Sequence, residues 1–129
     1  MSSKAFLQPA KIASNQSLSA TVIFPVTIVQ TQDNISYQIN ITTSDSIGSF
    51  TLQASLDYTQ DPVTKAVTNS GTWVDLTLGG GSPQANASND TINIAMNQVP
   101  FPALRIKYTS ITPGTGTCDM WVTAKRLGG

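Results

Sequence analysis

The feature that most constrains this chain is a period-two alternation of large apolar and polar residues, repeated in segment after segment. In Ile35-Ser-Tyr37-Gln-Ile39-Asn-Ile41-Thr42, four large apolar residues alternate strictly with polar ones. Successive side chains of a strand point to opposite faces, so this pattern gives one dry face and one wet face. The β-branched and aromatic types suit a half-buried pleated surface. Phe50-Thr-Leu52-Gln-Ala54-Ser-Leu56-Asp-Tyr58 repeats the pattern after the loop signal Asp45-Ser-Ile-Gly48. The spacing predicts that these two strands pair as an antiparallel hairpin. Val74–Leu78, Ile92–Met96, Leu104–Tyr108 and Cys118–Ala124 continue the alternation. Residues 19–30 supply one or two further strands, with Pro25 expected at a bulge or sheet edge because it cannot donate to a ladder. No window carries an amphipathic helical period. Seven to eight short strands separated by turn signals read as a sandwich or barrel, and the expectation is a single all-β antiparallel sandwich, jelly-roll or immunoglobulin-like.

The 129 residues suit one domain with a real core. Only 11% are charged, against roughly 25% in an average soluble domain. The surface must therefore be polar without charge, and Ser, Thr, Asn and Gln fill it. Seven basic and seven acidic residues cancel, and no run of Lys or Arg is dense enough to bind phosphate by counterion release, which argues against nucleic acid. The near-neutral surface fits a subunit that associates with others. A lone Cys118 excludes an internal disulfide framework, and its alternation phase with Met120 and Val122 makes it a small buried hydrophobe. There is no His, which removes His-based triads and the commonest metal ligand. No segment reaches transmembrane length, and the first residues lack the apolar stretch of a signal peptide, so a soluble protein made in the cytoplasm, with no membrane partner, is expected.

Residues 1–17 do not alternate and are read as an N-terminal arm, with 18–129 as the sandwich domain. Phe6 and Leu7 would dock the arm on a neighbouring subunit if it is an assembly device. Thr59–Thr72, with Pro62 and Asn69-Ser-Gly71, predicts an exposed hairpin excursion. Gly79–Asn89 reads as the most flexible stretch, and Ile111–Gly116 as the turn joining the last two strands.

Chemistry-bearing patterns are weak. The acids are solitary Asp residues at solvent-facing phases, such as Asp57, Asp75 and Asp119, and mark no facing pair. Asp57 and Asp61 match no calcium-loop spacing and read as turn residues. Gly79-Gly-Gly81 lacks the Lys-Ser/Thr of a phosphate loop. No catalytic residue, cofactor or metal is expected. The exceptions to the alternation are Trp73 and Trp121, which fall in the wet phase beside Asp75 and Asp119. Either a loop or the arm covers them, or they are contact residues.

The second half of the chain resembles a group of small tailed-phage virion structural proteins. The residues that carry the resemblance are Gly48-Ser-Phe50-Thr-Leu52-Gln-Ala-Ser55, Trp73-Val-Asp-Leu76, Asn97-Gln98-Val-Pro100-Phe101-Pro102-Ala-Leu104 and Gly114-Thr-Gly116-Thr117, spread over roughly residues 35–125. The resemblance implies a virion component and supplies no catalytic residues. Small size, a single compact domain and an uncharged surface further resemble a capsid decoration or cement protein. Such a protein would bind the major capsid protein and copies of itself, as a dimer or trimer, through Phe6, Leu7, Trp73, Phe101 and Trp121. The alternatives are a tail, fibre or head-fibre subunit, or a carbohydrate-binding adhesion module that stacks sugars on Trp73, Phe101 or Trp121.

Overall fold

A computed structural model describes residues 5–6, 10–29, 34–78, 81–96 and 101–126. In chain order its strands are β1 (Ala5–Phe6), β2 (Ala10–Ser17), β3 (Val22–Ile23), β4 (Thr27–Ile28), β5 (Asn34–Thr42), β6 (Ile47–Ser55) and β7 (Thr59–Gln60). There follow β8 (Val67–Asn69), β9 (Val74–Asp75), β10 (Gln84–Asn86), β11 (Asp90–Met96), β12 (Ala103–Thr112) and β13 (Thr117–Arg126). The first sheet runs β2–β13–β5–β11, with β1 continuing the line of β2 along β13; the second runs β10–β6–β12–β3, with β9 and β4 extending its two edges. All pairings are antiparallel. Each sheet thus has four strand positions among the described residues. Numbered in chain order, with β1/β2, β3/β4 and β9/β10 each filling one position and the small β7–β8 hairpin set aside, the sheets read 1-8-3-6 and 2-7-4-5. That order is a jelly roll.

The alternation does what it predicts. Ile35, Tyr37, Ile39 and Ile41 of β5 face Phe50, Leu52, Leu104, Ile106 and Tyr108 of the other sheet in one continuous core. Cys118 and Met120 of β13 close it. Burial pushes the Cys118 thiol up to about 12 and the Tyr37 phenol up to about 12, so both stay neutral inside.

β5 and β6 do not form a hairpin: β5 pairs with β13 and β11, and β6 with β12 and β10. Residues 43–46 form an arch that carries the chain from one sheet to the other. Four such arches, at 18–21, 43–46, 87–89 and 113–116, lie at one end of the sandwich. They bind one another. Thr43 N–H donates to Asn89 Oδ1 (2.9 Å), Ala87 N–H to the Ser46 carbonyl (2.9 Å), Thr115 N–H to Asp45 Oδ1 (2.9 Å) and Leu18 N–H to the Gly116 carbonyl (2.9 Å). Ser46 is fully buried, and its Oγ accepts from Gly116 N–H at 3.1 Å. Gly114 and Gly116 are required by this packing, because a Cβ on either would lie 2.5 Å from Asp45 Oδ1 or Thr43 Oγ1.

Residues 10–17, expected as part of an arm, form the edge strand β2 on β13. The alternation is hidden there by two register shifts, opposite Cys118–Met120 and Met120–Trp121, each inserting one extra residue into β2. Asn15, at φ 50°, sits in the first, and its N–H donates to Asp119 Oδ1 at 2.8 Å. Gln84–Asn86, expected to be flexible, pairs with Ile47–Ser49 as β10. Its anchor is small: Ala85, opposite Gly48, is 1% exposed. Val74–Leu78 is a strand only over Val74–Asp75, and β6 ends at Ser55, leaving Leu56 outside the core at 72% exposure. The 59–72 excursion is as expected, with β7 and β8 paired, and Pro25 stands between the two edge segments β3 and β4.

Candidate functional site

Both tryptophans lie on outward faces of the sandwich, as their phase requires, and each has been fitted with a partner. Trp73 immediately precedes β9, which pairs with Gln53 and Ala54 of β6. On β12, Leu104 and Ile106 point into the core, so Arg105 between them points out, and its guanidinium stacks 4.1 Å from the Trp73 ring centre. Arg105 Nε donates to Gln53 Oε1 at 2.8 Å, and Gln53 Nε2 donates to Asp75 Oδ1 at 2.8 Å. Gln53 is buried although it sits on the outer face, because this row of Trp73, Arg105 and Asp75 covers it. Partial burial lowers the Arg105 pKa, a direction that still leaves the group cationic. Tyr58 packs against the indole with the rings tilted, centres 5.7 Å apart, and the indole N–H donates to the Ser70 carbonyl at 2.9 Å.

The loop that holds Trp73 is tied down by a carboxylate. Asp57 Oδ1 accepts from Thr72 N–H (2.7 Å) and Ser55 Oγ (2.8 Å), and Asp57 Oδ2 from Thr72 Oγ1 (3.0 Å). These donors hold the Asp57 carboxyl below the usual carboxylate range. Asp61 accepts from Thr64 and Val63 N–H and is lowered for the same reason. Both acids therefore act as turn anchors. No group of three or more metal-ligating side chains occurs among the described residues.

Trp121 lies on the outer face of the first sheet, between Asp119 and Thr123 along β13. Lys11 of β2 sits over it, Nζ 5.0 Å from the ring centre, and reaches Asp119 Oδ2 at 3.8 Å. The edge strand thus half-covers the ring. Beside it Ser36, Gln38 and Asn93 border a shallow hollow of about 290 Å³. Trp73 and Trp121 consequently occupy opposite faces of the sandwich and cannot form one platform.

Phe101 is half-buried against the core and borders an apolar groove of about 420 Å³ with Leu56, Val74 and Leu76. Leu56 and Val74, at 72% and 59% exposure, are functional candidates that pattern reading missed, because both carry a core-facing phase, Leu56 just past the end of β6 and Val74 in the two-residue edge strand β9. The backbone of Phe6 lies in β1, opposite Lys125. Leu7 lies outside the described residues. The expected contact residues are therefore distributed over two faces and one edge.

No protein-family model and no curated protein sequence matches this chain. Among solved structures, the SPBc2 prophage-derived protein YomS superposes with a TM-score of 0.53 at 7% sequence identity, over 97% of this chain and 96% of that one. The likeness is one of fold, end to end. A Bacillus endospore appendage protein from a family of disulfide-linked pili is also similar, at a TM-score of 0.28 and 11% identity over 95% of this chain, a superposition too poor to indicate a common fold.

Proposed function

We propose that this chain is a non-catalytic bacteriophage virion protein, and within the virion a capsid decoration protein that binds and stabilises the head shell. The observation that carries the reading is the jelly-roll sandwich shared over nearly the whole of both chains with a prophage-derived protein. A fold hosts many functions, so the finer assignment rests on the surface. Two outward faces, each bearing a half-covered tryptophan with one cation stacked on it, belong to a chain of zero formal net charge and suit contact with neighbouring protein subunits. Each copy would bridge major capsid subunits weakly, and many copies on one shell would act together.

Copy number tests this reading. Quantitative densitometry of purified particles should find the protein in hundreds of copies per particle, and purified protein should rebind heads that lack it and raise their resistance to heat and osmotic shock. Tens of copies would transfer the protein to the tail or a fibre, and failure to bind heads would end the decoration reading.

A second reading, carbohydrate binding, is favoured by one observation: Trp121 borders a hollow lined by the hydroxyl and amide side chains of Ser36, Gln38 and Asn93. A glycan array with Trp121→Ala as control checks it, and silence on every glycan removes it.

A further inference from the structure

The four sheet edges of this sandwich are not alike. An exposed edge is a row of unpaired backbone donors and acceptors, and folded proteins interrupt such rows with bulges, prolines, charges or brevity. Three edges here are interrupted. The β2 edge carries two bulges, Asn15 at positive φ and Lys11. The β3/β4 edge consists of two two-residue segments separated by Pro25. The β9/β10 edge consists of segments of two and three residues.

The fourth edge is β11. Its seven residues, Asp90 to Met96, pair with Ile41 to Ile35 in unbroken register, with no bulge and no positive φ. It contains no Pro, Lys or Arg, and its one charge is at its end. No strand pairs its outer side among the described residues. Ile92 and Met96, on its inward face, are only half-buried although both pack on the core, so a strand laid alongside would complete their burial.

We propose that β11 is a dimer interface, pairing antiparallel with β11 of a second copy about a two-fold axis at Asn93. The sequence of β11 is complementary to itself in that register. Ile92 stands opposite Ile94 of the second copy, Thr91 opposite Ala95, Asp90 opposite Met96, and Asn93 opposite its own counterpart. At the centre of the inward face Ile92 therefore meets Ile94, and the exposed Asp90 meets Met96 only at the two ends. Small uncharged residues meet on the outward face, and no like charges oppose each other. The two first sheets become one continuous sheet of eight positions, and the one regular edge among the described residues disappears. The centred register pairs all seven residues, whereas a slip by two in either direction pairs only five and in one direction sets Ile94 opposite Asp90 of the second copy, so the centred register is favoured.

Cross-linking tests the register in the full-length chain. Directly paired Cα atoms on antiparallel strands are roughly 4.5–5.5 Å apart, inside the range a disulfide spans. Thr91, Asn93 and Ala95 are all exposed, so each accepts cysteine without disturbing the core, and native Cys118 is buried and does not compete. Under mild oxidation Asn93→Cys should convert more than half of the chain to covalent dimer. Thr91→Cys or Ala95→Cys alone should give little, and the two mixed should link to each other. Sedimentation of the unmodified protein should show dimers at micromolar concentration, and Asn93→Lys should raise the dissociation constant at least threefold, an effect reversed by mixing with Asn93→Asp. A monomer at every concentration, a dimer in which Asn93→Cys does not link, or a dimer indifferent to the charge swap would each overturn the proposal. The capsid reading stands or falls on particle copy number and is untouched by these outcomes.

Discussion

Gly48 of β6 lies against the phenol ring of Tyr108 on β12, so closely that a methyl group on Gly48 would overlap the ring and its hydroxyl and would lie 2.6 Å from the Thr109 carbonyl. Tyr108 is fully buried against Phe50, ring centres 4.8 Å apart, and cannot swing aside. The backbone carbonyl cannot move without shifting the β6–β12 ladder. Gly48→Ala should therefore destabilise the fold by about 1–3 kcal/mol through overpacking. Urea denaturation followed by far-ultraviolet circular dichroism reads this as a lower midpoint at unchanged slope; an unshifted midpoint would show that the ring has room to move.

The arch end should respond to loss of a single hydroxyl. Ser46→Ala leaves the Gly116 N–H without its buried acceptor, a loss of about 1–3 kcal/mol. Ser44→Ala, two residues away and exposed, should stay within about 0.5 kcal/mol of the parent. The two variants compared by thermal denaturation separate the arch bond from general loop effects.

Acid should loosen the Trp73 loop before it reaches the core. Asp57 and Asp61 have folded pKa values below the ordinary 3.8, so the stability they contribute is present above that value and is lost as pH falls through their lower folded values. In a Trp121→Phe background, Trp73 fluorescence should change as pH drops below about 3.8 while the circular dichroism signal of the sheets persists. Asp57→Asn should show the altered fluorescence already at neutral pH.

Alkali acts in the opposite sense and on the core. The Cys118 thiol, ordinarily near 9.0, and the Tyr37 phenol, ordinarily near 10.0, are both raised to about 12 by burial. Their contribution is complete below pH 9 and declines as pH rises towards 12, because the unfolded chain ionises first. Stability should fall from about pH 9 upward, less steeply in Cys118→Ala once its own packing loss is subtracted. At neutral pH a thiol reagent should modify Cys118 only as fast as the chain unfolds.

The strands were most legible where pairing is regular. Ile35 to Ile41 alternates without a break and is the buried centre of the first sheet. The arch at residues 43–46 shows where such reading stops: Asp45-Ser-Ile-Gly48 marks a change of direction, but whether the next strand stays in the sheet depends on which face meets which, a tertiary fact. In β2 the bulge residues Ile12 and Asn15 shift the phase twice within eight residues, so no period survives to be seen. Ala85 is too small to register as a core residue, yet it fills the space opposite Gly48. The wet phase of Trp73 and Trp121 was readable. Their partners, Arg105 and Lys11, were not, because they lie 32 and 110 positions away in the chain.

The arches also set the order of events during synthesis. From β5 onward consecutive long strands go to opposite sheets, so almost every ladder joins segments far apart in sequence, a topology that folds slowly. β13 lies between β2 and β5, and until residues 117–126 have emerged from the ribosome those two strands have nothing to pair with on their facing sides. The first sheet closes by insertion of its last strand. A ribosome stalled anywhere before that point would hold a chain with Ile35, Tyr37 and Ile39 uncovered, and chaperone binding should be heaviest on such chains.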